Sequence, residues 1–429
     1  MNFFPLRLTY LMLALQFAAV PSGLQAQDGS AQVVVVAGPQ ELSGALRAAR
    51  TSEVSTTLQL QPGVYPPFNL KNVTAPLRLE AANPDEPPRL TGLIVTASAD
   101  VSFANIVFDF VYDAGKSKMW TSAFQFENTK RLVFDRVVVD GDLMTGSGTD
   151  GDGYPAGRGL SFKRTQNVTI TDSEISGFWV GLSVMESSNF TLTNTQLYGM
   201  RKDILILTQV QDVTIDGNYF GAFNRSFAFD DHPDMIQMWT GRTTAPSERV
   251  TIRNNVFNSG LGPWSQTIFF ANDKVSKGEA GPEMYFRDLV IENNMIINGH
   301  LNGLVVGETQ GLRISNNTLV RNFKSNESGM SDALATPRIR VAGRSRDVVI
   351  ERNVAASLPE APVGGDWNIS GNAIVQGTER LSAGYYGAVF VDALSGDPRD
   401  LASYDFKPDG PLYGLGLGAL ITRAGISDE

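Results

Sequence analysis

Cysteine is absent, histidine occurs twice, and charged side chains make up only 19% of the 429 residues. Without cysteine there are no disulfides and no thiolate metal sites, so stability has to come from packing and hydrogen bonds. Basic charge is also short: the first 26 residues carry one charged side chain, Arg7, and the remainder holds 34 basic against 45 acidic residues. Nonspecific nucleic-acid binding is therefore disfavoured, because phosphate contact needs a basic face. Beyond the first 26 residues no segment approaches the roughly eighteen apolar residues of a membrane span.

What is present in quantity is glycine, 42 residues, and apolar residues, 42% of the chain, enough for a large core and too many for global disorder. Residues 1–26 join Arg7, an apolar run from Leu8 to Val20 and small residues up to Ala26. That is the layout of a secretory signal, with cleavage expected near Ala26. The mature chain is expected to be exported, periplasmic or secreted, with no membrane insertion after cleavage.

A short pattern recurs along the rest of the chain. Its copies begin at Val101, Leu132, Val168, Phe190, Val213, Val250, Leu289, Leu312, Val348 and Trp367. Several successive copies lie 22 or 23 residues apart, as Val168, Phe190 and Val213 show, so the unit is a coil of about 22 residues that accepts insertions. In each copy the first and third residues are apolar and the second is usually polar, the period-2 mark of a half-buried strand. Five residues after the start, asparagine recurs at Asn218, Asn255, Asn294, Asn317, Asn353 and Asn372. Such side chains can stack from rung to rung at about 4.8 Å. A further apolar pair and a second strand follow, giving three short strands per coil.

This pattern resembles the right-handed parallel β-helix of the pectate-lyase-like superfamily, an all-β, single-stranded solenoid. Pro39 to Arg50 reads as an amphipathic helix with proline in its first turn, similar to the cap these solenoids place over their first coil. The expected organisation is a signal at 1–26, a cap and first coil at 27–75, the β-helix at 76–400 and a C-terminal cap or tail at 401–429. The segment from Asp405 to Ile421 is expected to close the far end.

Register decides which side chains meet. Taking Leu182/Val184, Ile204/Ile206, Ile236/Met238, Ile268/Phe270 and Leu304/Val306 as inward pairs puts Phe178, Met200, His232, Trp264 and His300 in one column. Val180, Lys202, Asp234, Gln266 and Asn302 form a second, with Arg338 and Arg340 on the following rung. Both histidines then share a column two rungs, about 9.6 Å, apart. The insertions at 109–121, 139–157, 221–233 and 322–337 precede the second strand, and those at 240–248 and 271–287 follow it, so they form two walls.

A basic, amide-rich strip on an acidic protein is what an anionic substrate meets. The resemblance implies a carbohydrate-active enzyme on an acidic, uronate-containing polysaccharide, acting as a lyase by β-elimination or as a C5 epimerase. Both begin by removing the proton beside the uronate carboxylate, which needs a base and a cation, amide or neutral acid to hold developing charge. His232 is the expected base or acid, oriented by Asp234 or Asp231, with His300 in the same groove. Arg201, Lys202 and Arg338 would hold the carboxylate. Gln237, Trp239, Trp264, Gln266, Asn302 and Arg340 would bind sugar. Asp230-Asp231-His232-Pro233-Asp234 resembles the Asp-Pro-His-Asp element of alginate epimerases, although proline here follows the histidine.

Calcium, if bound, is expected on Asp203, Asp231 and Asp234, since a hard cation wants several oxygens. The acidic loops Asp140-Gly-Asp142 and Asp150-Gly-Asp152 lack the full series of an EF-hand. Asp230-Asp231, Gly299-His300 and Arg338-Ile-Arg340 echo the motif order of polygalacturonases, which keeps a glycoside hydrolase open. A non-catalytic glycan-binding or adhesin β-helix also stays open, because fold alone does not fix function. The partner expected is an acidic polysaccharide, with no nucleic acid, and the protein is expected to be monomeric.

Overall fold

The computed structural model describes residues 31–225, 229, 231–325 and 331–420. The proposed signal segment, Asp230 and Ile421 lie outside the described residues.

Alternation of apolar and polar residues produces three long parallel sheets, of 13, 12 and 10 strands, traversed once per coil. Sheet 1 holds the recurring strands, from Gln32–Val36 to Trp367–Ser370. Sheet 2 follows each of them, ending at Ala373–Ile374, and sheet 3 runs from Phe68–Lys71 to Arg338–Val341. The chain is the all-β, right-handed parallel β-helix expected. Inward residues of all three sheets share one core, in which Phe103 stacks on Phe134, and Phe126 on Phe162, each pair with ring centroids 5.1 Å apart.

The helix Pro39–Thr51 turns Leu42, Leu46 and Ala49 into that core, as its amphipathic pattern demands. Sheet 1 begins ahead of this helix, because Gln32–Val36 pairs in parallel with Thr56–Leu60. The segment from Asp405 onward, expected to close the far end, instead lies with residues 375–404 against the outside of sheet 2. Tyr386, Val389, Phe390 and Tyr404 form a second cluster there with Ile297, Val320 and Val354. The chain then runs back along the coils. Gly418 N–H donates to Arg352 O (2.8 Å), Ala419 N–H to Thr318 Oγ1 (2.8 Å) and Leu420 N–H to Asn293 Oδ1 (2.6 Å).

At the turn from sheet 1 to sheet 2 the asparagines stack as their spacing predicts. Nδ2 of Asn218, Asn255, Asn294, Asn317 and Asn353 each donates to Oδ1 of the next asparagine at 2.9–3.0 Å. Each also donates to a backbone carbonyl one coil back. The residue before each buried asparagine sits in the left-handed region, as at Asn254, Asn293 and Asn316 (φ 57°, 52° and 55°), a conformation asparagine tolerates well.

Sheet 3 departs from the expected register on one rung. Leu182 pairs with Leu205 and Val184 with Leu207, so the inward pair is Leu205/Leu207 and Ile206 points outward. Ile204-Leu205-Ile206-Leu207 is apolar throughout and has no period-2 phase to reveal this, and a one-residue slip exchanges the faces. Just before the inward pair the backbone bends so that the preceding residue is buried too. Gly181 occupies that bend on its rung, where an added Cβ would meet Ile204 O at 2.7 Å.

Candidate functional site

With the register corrected, the first column reads Phe178, Arg201, His232, Trp264, His300. The second reads Arg158, Val180, Asp203, Asp234, Gln266, Asn302, Arg338. The slip exchanges Lys202 for Asp203 and so brings two aspartates onto adjacent rungs. Both side chains are fully buried. Asp234 N–H donates to Asp203 Oδ1 at 3.2 Å, and Gln237 Nε2 donates to Asp234 Oδ2 at 2.7 Å. The remaining oxygens, Asp203 Oδ2 and Asp234 Oδ1, are buried and accept no hydrogen bond among the described residues.

Two carboxylates one rung apart in a dry place resist joint ionisation. Burial pushes the Asp203 carboxyl up to about 7, with Lys202 pulling the other way. Burial, and after it the charge of Asp203, holds Asp234 well above the carboxylate range. Near neutral pH the pair therefore carries a proton. Lys202 Nζ lies 3.7 Å from Asp203 Oδ2 and 5.5 Å from the Trp179 ring, which Arg158 also approaches at 4.9 Å. Trp179 and Arg158, absent from the sequence expectation, thus form the flank of the aspartate pair.

Arg201 does not have the role expected of it. It is fully buried, its Nε donates to Asp231 Oδ2 at 2.9 Å, and Phe229 covers it at 3.9 Å. A substrate carboxylate cannot reach it without displacing these partners. Its two terminal nitrogens have no hydrogen-bond partner among the described residues, so it acts as a fixed positive charge behind the site. The carboxylates expected to orient His232 are engaged elsewhere, Asp231 by Arg201 and Asp234 by Gln237. His232 itself is exposed on the rung of Asp234.

His300 is not available as a base. Its ring stacks on Trp264 with centroids 4.7 Å apart, and its Nδ1 accepts the Asn302 N–H at 3.2 Å, which leaves the proton on Nε2. Burial, assisted by Arg225, lowers it to about 4, so it stays neutral and can only donate. Arg225 lies 4.5 Å from the same indole. Trp264 is thereby occupied by protein groups and is not an open platform for a sugar ring.

The amides make a chain of their own: Asn302 Nδ2 donates to Gln266 Oε1 (2.6 Å) and Arg340 to Asn302 Oδ1 (3.1 Å). Trp239 stands at the other end of strand Asp234–Trp239, about 16 Å along the sheet from Asp234, and packs over Gly241. Arg338 is opposite Asn302, three rungs or about 14 Å from Asp234, too far to hold the same carboxylate.

Among the described residues no group of three or more acidic or histidine side chains is placed to hold a metal ion. The calcium set Asp203, Asp231 and Asp234 fails because Asp231 turns to Arg201, leaving two carboxylates. The Asp142 and Asp152 carboxylates close their own loops by accepting from Tyr112 N–H and from Ser147 and Gly148 N–H.

The sequence model of the family described as "right handed beta helix region" matches residues 91–262 and 158–357, together more than half of the chain. This protein belongs to that family. Among curated protein sequences none matches. The solved structures it is similar to include the A-module of mannuronan C-5 epimerase AlgE6 from Azotobacter vinelandii. That match has a TM-score of 0.52 and 12% identity, over 80% of this chain and 97% of that one. PfbA, a surface adhesin of Streptococcus pneumoniae, matches at TM-score 0.44 and 14% identity, over 82% and 96%. Pectate lyase Pel9A matches at TM-score 0.41 and 10% identity, over 89% and 90%. At these identities the likeness is one of fold.

Proposed function

We propose that this protein is an exported enzyme acting on an acidic, uronate-containing polysaccharide by abstracting the proton beside the uronate carboxylate. The observation that carries the reading is the buried Asp203–Asp234 pair, with one oxygen of each lacking a partner and Lys202 beside them. The part-exposed Lys202 ammonium is the group that holds a carboxylate as it gains charge, and the buried pair behind it fixes its position and field. His232, exposed on the same rung, is the base: the C5 proton goes to its imidazole and the electron pair moves onto the carboxylate as an enediolate. Expulsion of the 4-oxygen with a proton completes β-elimination, whereas return of a proton to the opposite face completes epimerisation. Export to the periplasm or beyond rests on the composition of residues 1–26.

The pair also supports a second reading. Glycoside hydrolysis likewise uses two carboxyl groups, one of them held protonated by its surroundings.

The test is a panel of uronate polymers assayed for unsaturated product, altered epimer content and new reducing ends, with wild type, Asp234→Asn and His232→Ala. Unsaturated or epimerised product, lowered about a hundredfold or more in both variants, is expected. New reducing ends without unsaturation would move the assignment to hydrolysis. No turnover on any polymer would sink the enzymatic reading and leave a glycan-binding surface.

A further inference from the structure

The far end of sheet 3 holds a cavity of about 380 Å³ that the proposed catalytic strip does not use. It is lined from four stretches of chain, represented by Arg321 and Phe323 at the end of sheet 2, by Thr336 and Arg338, by Ser357 and by Thr378. Its volume lies at the lower end of ordinary small-molecule sites, the scale of one pyranose ring.

Two guanidinium groups face this cavity. Arg321 gives one edge to Asp332 Oδ1 at 2.5 Å and packs 4.6 Å from the Phe323 ring centroid, while its Nε is buried without a partner. Arg338 donates to Ala333 O at 2.9 Å and has no carboxylate partner among the described residues. Among the described residues Asp332 offsets one positive charge and the other is left over. The hydroxyls of Thr336 and Thr378 already donate, to Asp332 O and Gln376 Oε1, so what they offer the cavity is acceptor lone pairs. Phe323 is one-third exposed and adds an apolar edge. A cation, hydroxyl acceptors and an aromatic edge together suit a polyol that carries one carboxylate, since guanidinium binds carboxylate in a fixed fork and acceptors take sugar hydroxyls.

We propose that this cavity is a secondary subsite that binds one uronate residue of the polymer, its carboxylate on Arg338 and Arg321 and its hydroxyls toward Thr336 and Thr378. The choice of a uronate rests on the function proposed above. Arg338 lies about 14 Å from Asp234, so the subsite holds a sugar a few units away from the reacting one and favours longer chains.

Isothermal titration of the full chain with monomeric uronates (glucuronate, galacturonate, mannuronate, guluronate), with glucose and with acetate tests it. At least one uronate is expected to bind, with glucose and acetate at least about tenfold weaker. Arg338→Gln should weaken that binding about tenfold or more, and Ser357→Phe, which fills the cavity and keeps both guanidiniums, should abolish it. Acetate binding as well as the uronate, uronate binding insensitive to both cavity variants, or no binding of any uronate would each overturn the subsite. Turnover with no monomer binding would remove the subsite and keep the proposed reaction. Binding in the expected pattern with no turnover on any polymer would do the reverse.

Discussion

Two polar columns run along this coil, one at the turn from sheet 1 to sheet 2 and one at the entry to sheet 3, and they treat buried polarity in opposite ways. In the first, every asparagine from Asn218 to Asn353 passes its Nδ2 to the next oxygen and to a backbone carbonyl. In the second, Asp203 and Asp234 sit one rung apart, each with an oxygen that has no hydrogen-bond partner among the described residues, and Arg201 in the adjoining column has two such nitrogens. Stacking identical neutral amides satisfies them, because each side chain both donates and accepts. Stacking like carboxylates cannot, so such a pair persists only against a cost in stability, which is why it marks a candidate functional site.

The asparagine column should prove the more fragile of the two. Asn294→Ala strips the acceptor from both Asn255 N–H and Asn255 Nδ2 and a donor from Ile252 O, while Asn317 Oδ1 keeps only the backbone N–H of residue 294. Unpaired buried groups cost about 1–3 kcal/mol each, so a loss of about 3 kcal/mol or more in unfolding free energy is expected by chemical denaturation. A loss below about 1 kcal/mol would mean that the column contributes little.

Asp203→Asn should act in the opposite direction. Because the folded-state value is raised from 3.8 to about 7, the folded protein holds a proton that the unfolded chain releases from about pH 4 upward. Wild-type stability from this group is greatest below the unfolded value and falls as pH rises toward 7, by at most about 1.4 kcal/mol per pH unit per proton. The variant lacks this slope and should gain on wild type across that window. Parallel stability–pH curves would show that the pair carries no shared proton.

The smallest effect belongs to Arg225→Gln, a change in the group that flanks the site. His300 is held near 4 chiefly by burial and secondarily by Arg225, so its value should rise by less than about one unit on imidazole NMR titration. Recovery of the ordinary value of 6.5 would make charge, and not burial, the dominant cause.

The two columns were also unequally legible in the sequence. The asparagines stand at a fixed offset from an alternating strand, and the coil and its three sheets follow from that phase. The aspartate pair was hidden because Ile204 to Leu207 is apolar at every position. Glycine held the missing signal, since Gly159, Gly181 and Gly303 each stand one residue before an inward leucine and would have placed Ile204 at the bend. Arg225 and Trp179 had no such marker: one lies in an insertion and the other beside a buried phenylalanine, and only packing brings them to the site.

The returning chain at Gly418 to Leu420 bears on how this molecule comes apart. In a coil whose rungs touch only their neighbours, the end frays one rung at a time. Here a single extended strap is hydrogen-bonded to Arg352, Thr318 and Asn293 on three successive coils. No one of these coils can peel away without pulling on the other two. The last coils therefore open together or not at all, which gives a chain without disulfides a cooperative end.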